Sequence, residues 1–197
     1  MTDVLERFMR YVRVDSASDP DNASVTPSTA RQHDMARLLA DELAELGCEG
    51  VSADGHAYVT GALPSSPGAE GLPALVLCAH IDSSPDAPAE GVSPHVVRYE
   101  GGALVAGVVD GEPVQTTPEQ VPDLALFEGQ DIVCSDGSTL LSADDKAGVA
   151  EIMALLARLA ANPELPHPRI VAAFVPDEEI GHGAALLDVE SLGACGG

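Results

Sequence analysis

Apolar residues recur along the chain at two spacings, one typical of helices and the other of buried strands. Residues 3–13 place their apolar side chains at helical intervals, with arginines on the other side. A second helix is predicted to be capped by Ser28 or Thr29 and to end at Gly47. The helices predicted further along the chain cover residues 146–159 and begin again within 184–187.

Continuous apolar runs predict strands that are covered on both faces, as in parallel or mixed sheets flanked by helices. The clearest runs are residues 74–79 and 169–175, and shorter strands are predicted at 57–63, 131–134 and 140–141. Residues 83–129 are rich in proline and glycine and are predicted to form irregular excursions. The order of helices and strands predicts an α/β fold with one central sheet, in a single domain.

The charge of the chain is strongly negative. Thirty-two acidic residues oppose nine basic ones, which gives a formal net charge of -23, and Lys146 is the only lysine. Such a surface repels phosphate backbones, so nucleic acid is not expected as a partner. A solvated acidic surface explains most of this charge without any ligand.

The cysteines and the N-terminus indicate a cellular location. Cys48, Cys78, Cys134 and Cys195 are far apart and form no Cys-x-x-Cys pair, which is typical of free buried thiols. The N-terminus is amphipathic and differs from a secretory signal, and no apolar run is long enough to span a membrane. A reducing, cytoplasmic location without a membrane partner is therefore expected.

A histidine and an aspartate follow the apolar run at 74–79. His80 comes directly after the run and Asp82 lies two residues on, so both side chains point to the same side of an extended segment. An imidazole that binds zinc commonly donates its other N–H to a carboxylate. His80 as a metal ligand oriented by Asp82 fits this pattern, although a lone histidine at a strand end is more often an ordinary surface or core residue.

Asp144 and Asp145 lie where the helix at 146–159 begins. Two carboxylates at a helix start can simply cap the helix and complement its dipole. Alternatively, one of them bridges two cations, as in co-catalytic aminopeptidase sites. Both interpretations stay open from the residues alone.

Asp177, Glu178 and Glu179 follow the apolar run at 169–175. A solvated acidic turn is one interpretation. With a metal present, neighbouring glutamates can divide the work, one ligating the ion and the other acting as general base on water. Because the three acidic groups all follow or adjoin strands of one predicted sheet, at the end where α/β sheets place their ligands, they are expected to converge.

Three longer motifs carry a resemblance to a known family. They are HIDSSPD at 80–86, SDGSTLLSADDKAG at 135–148 and PDEEIGHGA at 176–184. With similar first and second helices, the resemblance to the peptidase T family, tripeptide aminopeptidases among the dinuclear zinc peptidases, covers nearly the whole chain. It implies a three-layer α/β/α catalytic domain with a central mixed, mostly parallel sheet.

The resemblance also implies roles for individual residues. His80 is similar to the ligand of one zinc ion, and Asp82 to its orienting, catalytic partner. Asp144 resembles the carboxylate that bridges the two Zn²⁺ ions. In the family, the peptide bond between this residue and the next, here Asp145, is typically cis. Glu178 resembles the general base. Glu179 resembles a ligand of the second zinc.

The family pattern contains residues that this chain lacks. The family has an aspartate in a Val-Asp-Gly-Gly context after the glutamate pair and a histidine far downstream, whereas this chain has Cys195 before its final Gly-Gly. Residues 1–197 are therefore expected to be a partial zinc-peptidase catalytic domain without its lid and dimerisation domain. Each zinc would keep two protein ligands, so weak or no activity is expected. Cys195 is not counted as a ligand, because chain ends commonly fray.

The resemblance implies a zinc-dependent aminopeptidase that releases the N-terminal residue from tripeptides, in a family whose intact members are homodimers. Two alternatives stay open. One is another hydrolase of the same superfamily, a carboxypeptidase or an N-acyl amino acid deacylase. The other is a non-catalytic acidic metal-binding fragment.

Overall fold

The structure is a computed structural model and describes residues 2–193. Within this range the α-helices are α1 (Thr2–Tyr11), α2 (Gln32–Glu45) and α3 (Ala143–Ala161). The strands are β1 (Glu49–Ala53), β2 (Val59–Leu63), β3 (Leu75–His80), β4 (His95–Tyr99), β5 (Leu104–Val109), β6 (Glu112–Thr116), β7 (Gln130–Cys134) and β8 (Ile170–Val175). Short 3₁₀ helices lie at Pro20–Asn22, Pro122–Phe127 and Glu178–Ile180. None of the described helices is long and apolar enough to cross a membrane.

Four strands form the central sheet in the order β1-β2-β8-β3. β3 and β8 are parallel, with His80 opposite Val175, so the residues that follow both strands meet at one edge. The other two pairings are antiparallel. The predicted mixed sheet is confirmed, but it is less parallel than the resemblance implies, since one of its three pairings is parallel. The short turn between β1 and β2 accounts for one antiparallel pair, because only an antiparallel pair accepts such a connection.

The three helices pack on one face of the central sheet. Their apolar side chains share a core with the sheet residues that point to this face. Members of this core are Phe8, Leu39, Leu43, Val59, Met153 and Phe174. On the opposite face, Ala62, Val171 and Ala173 pack with Leu187 and Leu192. The described residues thus build two layers of the expected α/β/α arrangement, and no described helix covers the second face.

Several local predictions are wrong. Residues 83–129, predicted as irregular, contain β4, β5 and β6. β5 pairs with β6, and β4 pairs with β7, which was predicted at 131–134, in two small antiparallel ribbons. These strands are half exposed and separated by turns, although β5 itself is an apolar segment. Residues 140–141 form no strand, residues 184–187 form turns in place of a helix, and β1 was not predicted.

The start of α2 differs from the prediction as well. The helix begins at Gln32, and the residue at its N-cap position, Arg31, makes no side-chain cap. Ser28, predicted as a cap, donates its hydroxyl to the carboxylate of Asp177 instead. A tertiary contact therefore uses the side chain that the local pattern assigned to the helix.

Candidate functional site

His80 ends β3 and is almost fully buried. Its Nδ1 lies 3.2 Å from Asp82 Oδ1 and 3.1 Å from the Asp82 carbonyl, and both of these atoms are acceptors, so Nδ1 carries the proton. Its Nε2 lies 3.0 Å from Asp144 Oδ1 and 3.9 Å from Glu178 Oε2. One ring nitrogen is thus held by a buried carboxylate, while the other faces two more exposed ones.

Burial by itself would lower the pKa of His80. Hydrogen bonds to the carboxylates of Asp82 and Asp144 outweigh burial, and the charge of Asp145 adds to them, so the pKa rises to about 9. Without another cation at this edge, the imidazole therefore carries a positive charge at neutral pH. A metal ion at Nε2 would replace that proton and interact with the same carboxylates.

Asp82 is fully buried and its carboxylate holds two segments together. Besides His80, it accepts the backbone N–H of Glu178 at Oδ1 (3.0 Å) and that of Glu179 at Oδ2 (3.2 Å). These charge-assisted bonds compensate the cost of burying the charge. Asp82 therefore aligns the imidazole and the glutamate pair at the same time, which is more than the orienting role predicted for it.

Asp144 and Asp145 have different environments although they are adjacent. The side chain of Asp144 is 88% exposed apart from its contact with His80 Nε2. Asp145 Oδ1 accepts the backbone N–H of Gly148 at 3.2 Å, so Asp145 caps the regular part of α3. Burial raises the pKa of the Asp145 carboxyl, and the charge of His80 and the backbone N–H groups of His80 and Gly148 oppose this rise. The peptide bond between the two aspartates is cis, as the resemblance implies.

Glu178 and Glu179 begin the 3₁₀ helix that follows β8. The Glu178 side chain is 57% exposed and points its Oε2 toward the imidazole. Burial raises the pKa of the Glu179 carboxyl, and the charges of Asp82, Asp144 and Glu178 raise it further, while His80 lowers it. The acidic groups predicted to converge are therefore close enough to influence one another.

Buried polar groups that were not predicted lie behind this edge. Asp177, for which a solvated acidic turn was one interpretation, is fully buried and bound to Ser28 and Gln32. Lys146 is fully buried as well and donates from Nζ to the Val14 carbonyl at 2.7 Å. Burial lowers the pKa of Lys146 to about 8. In the sequence, the only signal for this buried group was that the single lysine of the chain lies at the start of a predicted helix.

The predicted ligands His80, Asp144 and Glu179 are gathered at one edge of the sheet, with His80 and Asp144 in direct contact. Among residues 2–193, no three His, Cys, Asp or Glu side chains are arranged as a ready metal site. The donors still fit zinc, because a histidine oriented by a carboxylate faces further carboxylates, and nitrogen and oxygen are ligands that zinc takes. Cys195 lies outside the described residues.

Comparison with curated proteins identifies relatives over nearly the whole chain. Peptidase T from Aliivibrio fischeri is 46% identical over 195 residues, which are 98% of this chain and 46% of that protein. Peptidase T from Geobacillus thermodenitrificans is 40% identical over 193 residues. The chain is a homologue of peptidase T. It spans about half the length of these peptidase T relatives.

Solved structures agree with this relationship. Aminopeptidase PepT from Bacillus cereus superposes with a TM-score of 0.65 at 25% identity, over 98% of this chain and 41% of that chain. A tripeptidase from Staphylococcus aureus superposes with a TM-score of 0.62 at 24% identity, over 96% of this chain and 40% of that one. The fold is that of peptidase T catalytic domains. No family model matches the chain.

Proposed function

We propose that the chain belongs to a zinc-dependent aminopeptidase that releases the N-terminal residue from tripeptides. The observation that carries this proposal is the position of His80 Nε2, 3.0 Å from Asp144 and 3.9 Å from Glu178, with Nδ1 held by Asp82. The homology to proteins named peptidase T supports the tripeptide substrate.

In this proposal His80, Asp144 and Glu179 would hold the metal ions, with Asp144 between them. Zinc, when bound, would polarise the scissile carbonyl and make a water molecule more acidic. The Glu178 side chain is 57% exposed and its Oε2 lies 3.9 Å from His80 Nε2, which supports a role in taking a proton from the attacking water. The same carboxyl then donates that proton to the leaving amine. A free amino acid and a dipeptide result.

Asp82 has a supporting part in this mechanism. It keeps the His80 proton on Nδ1 and leaves Nε2 for the metal. Its bonds to the N–H groups of Glu178 and Glu179 fix the backbone from which the base and the second ligand project. In both contributions Asp82 positions other residues, and those residues bind the metal or transfer the proton.

The proposal includes weak activity of the 197-residue chain alone. The residues named above would supply His80 and Asp144 to one zinc ion, and Asp144 and Glu179 to the other. Catalytic zinc usually has three protein ligands. Two ligands each would hold the ions loosely and leave the reacting carbonyl poorly positioned. Because each zinc ion would have two protein ligands in place of three, we regard residues 1–197 as part of a catalytic domain.

Location and partners belong to the same proposal. A cytoplasmic enzyme fits the cysteines, since Cys48, Cys78 and Cys134 are free thiols. Short peptides are the proposed substrates, and homodimerisation of the intact enzyme is carried over from the resemblance alone.

The purified chain, stripped of metal with a chelator and reloaded with Zn²⁺, should be assayed against a tripeptide, a peptide blocked at its N-terminus and an N-acyl amino acid. Slow, metal-dependent release of the first residue from the unblocked tripeptide alone is the expected result. Preference for the N-acyl amino acid would replace the proposal with a deacylase. Tight zinc binding without hydrolysis of any substrate would leave a non-catalytic metal-binding chain.

A further inference from the structure

A buried polar cluster, made of Ser28, Gln32 and Asp177, lies directly behind the glutamate pair. Gln32 and Asp177 have no exposed surface, and Ser28 is 3% exposed. The Asp177 carboxylate accepts three hydrogen bonds: from Ser28 N–H at 2.7 Å, from Ser28 Oγ at 2.6 Å and from Gln32 Nε2 at 2.6 Å. Gln32 Oε1 in turn accepts the backbone N–H of Asp177 at 3.1 Å.

The cluster joins distant parts of the chain. Ser28 and Asp177 are 149 residues apart in sequence, and Gln32 is the first residue of α2. A buried carboxylate without partners would be very unfavourable, and the three donors compensate the burial of the Asp177 side chain. The cluster therefore fixes the end of β8 against the entry to α2.

The turn that carries Glu178 is held from both sides. Asp177 adopts a left-handed backbone conformation with φ 56° and ψ 27°, which non-glycine residues rarely keep without support. On one side its side chain is bound by Ser28 and Gln32, and on the other the N–H of Glu178 is bound by Asp82. Hydrogen bonds to two buried carboxylates, those of Asp177 and Asp82, thus hold the backbone on both sides of the peptide bond from Asp177 to Glu178. This is the point from which the proposed base projects.

We propose that Asp177, bound by Ser28 and Gln32, is a positioning residue that holds Glu178 in the orientation required of the general base. This inference rests on the proposed function, because it assigns the base to Glu178. Asp177 itself is turned away from the imidazole toward α2 and touches no reacting group, so it acts through the backbone of the residue that follows it.

The substitution Asp177→Asn tests the proposal with little change in size. Its amide group cannot accept from all three donors, so one of the bonds from Ser28 or Gln32 is lost or reversed. We expect kcat to fall by about 10- to 100-fold, the effect of a small misplacement of a catalytic group, with KM and zinc affinity near those of the unchanged chain. Asp41→Asn, the same change on the exposed side of α2, should leave kcat unaltered.

The double substitution Asp177→Asn with Gln32→Glu restores donor and acceptor pairing. The amide introduced at position 177 then donates to the carboxylate introduced at position 32, which also accepts the backbone N–H of residue 177. The net charge equals that of the original pair. Recovery of most of the lost kcat would support the positioning role. Failure of the double variant to recover, when it folds as stably as Asp177→Asn, would overturn it.

Amide hydrogen exchange gives a readout that does not depend on activity. In Asp177→Asn, the N–H groups of Glu178 and Glu179 should exchange faster, while amides in the centre of α3 should not. Unchanged exchange at both residues would overturn the proposal, whatever the turnover. If the unsubstituted chain neither binds zinc nor hydrolyses a tripeptide, the proposed function fails, and exchange alone then decides whether the cluster holds the turn. Should Asp177→Asn not fold, Ser28→Ala removes one donor only and is expected to show the same changes to a smaller degree.

Discussion

Asp82 Oδ1 accepts the backbone N–H of Glu178 at 3.0 Å, and the same oxygen lies 3.2 Å from His80 Nδ1. One buried atom therefore links the imidazole at the end of β3 to the acidic turn after β8. Because β3 and β8 are parallel neighbours, both segments leave the sheet at the same edge.

Asp82→Asn should weaken zinc binding. The amide cannot accept from His80 and from both backbone N–H groups as the carboxylate does, and it removes a charge that favours a cation. We expect zinc affinity to fall by about 10- to 100-fold, the usual cost of losing such a partner. Competition with a chromophoric chelator measures it. Asp86→Asn, on the exposed stretch that follows, is the control, and an equal loss there would attribute the effect to net charge.

Glu178→Gln and Glu179→Gln should affect different steps. The first removes the proposed base and should lower turnover by about 100-fold or more, with zinc binding retained. The second removes a proposed ligand and should weaken zinc binding itself. Calorimetric zinc titration beside single-substrate kinetics separates the two effects. If Glu178→Gln weakens zinc binding more than Glu179→Gln does, the two assignments are reversed.

Gly148→Ala should disturb the start of α3 although alanine favours helices. A Cβ at residue 148 would overlap with Asp145 Oδ1, the atom that accepts the Gly148 N–H. The carboxylate has to move, which breaks the cap and shifts the segment that carries Asp144. We expect a loss of about 1 kcal/mol or more in the free energy of unfolding, measured with denaturant. Gly55→Ala, where a Cβ meets nothing within 4 Å, should cost less.

Glu42→Gln should weaken the contact between α1 and α2. The Glu42 carboxylate accepts the Tyr11 hydroxyl at 2.6 Å and the guanidinium groups of Arg7 and Arg10, while its side chain is only 11% exposed. Hydrogen bonds to charged groups contribute about 1.5–3 kcal/mol each, so we expect a loss in this range. Glu45→Gln, at an exposed position of the same helix, should change stability little. Equal denaturation midpoints for the two variants would contradict the prediction.

The phenol of Tyr11 should make stability fall at high pH. Burial raises the pKa of Tyr11 above its ordinary value of 10.0, and its hydrogen bond to Glu42 raises it further. The unfolded chain then loses this proton at lower pH than the folded chain, so the contribution of Tyr11 is complete below pH 10 and declines as the pH rises beyond it. Unfolding free energies measured from about pH 8.5 upward should fall more steeply for the unchanged chain than for Tyr11→Phe. Parallel curves would contradict this.

Much of the candidate site was predictable because its motifs are short. His80 and Asp82 are two residues apart at the end of an apolar run, and the glutamate pair follows another such run directly. Local periodicity likewise predicted α1, α3, β3 and β8 close to their observed bounds. In each case the chemistry and the element that carries it lie within one stretch of chain.

Strands β4, β5 and β6 within 83–129 and the start of α2 were not predicted, whereas β7 was. β4 and β6 are largely exposed and have few consecutive apolar residues. The apolar run at 103–109 carries β5 and was missed because it lies among segments rich in glycine and proline. The capping rule failed at Ser28 because a partner 149 residues away uses its hydroxyl. Local rules do not anticipate contacts of that kind.

The amino-acid pattern alone was enough to name the candidate metal ligands, their approximate elements and the relationship to peptidase T. The different environments of neighbouring acidic residues were decided by the tertiary structure. Asp145 caps α3 while its neighbour Asp144 meets His80, and Asp177 is buried while Glu178 is exposed. Adjacent carboxylates are chemically alike in sequence, and their roles differ because packing and hydrogen-bond donors from distant segments give each one a different environment.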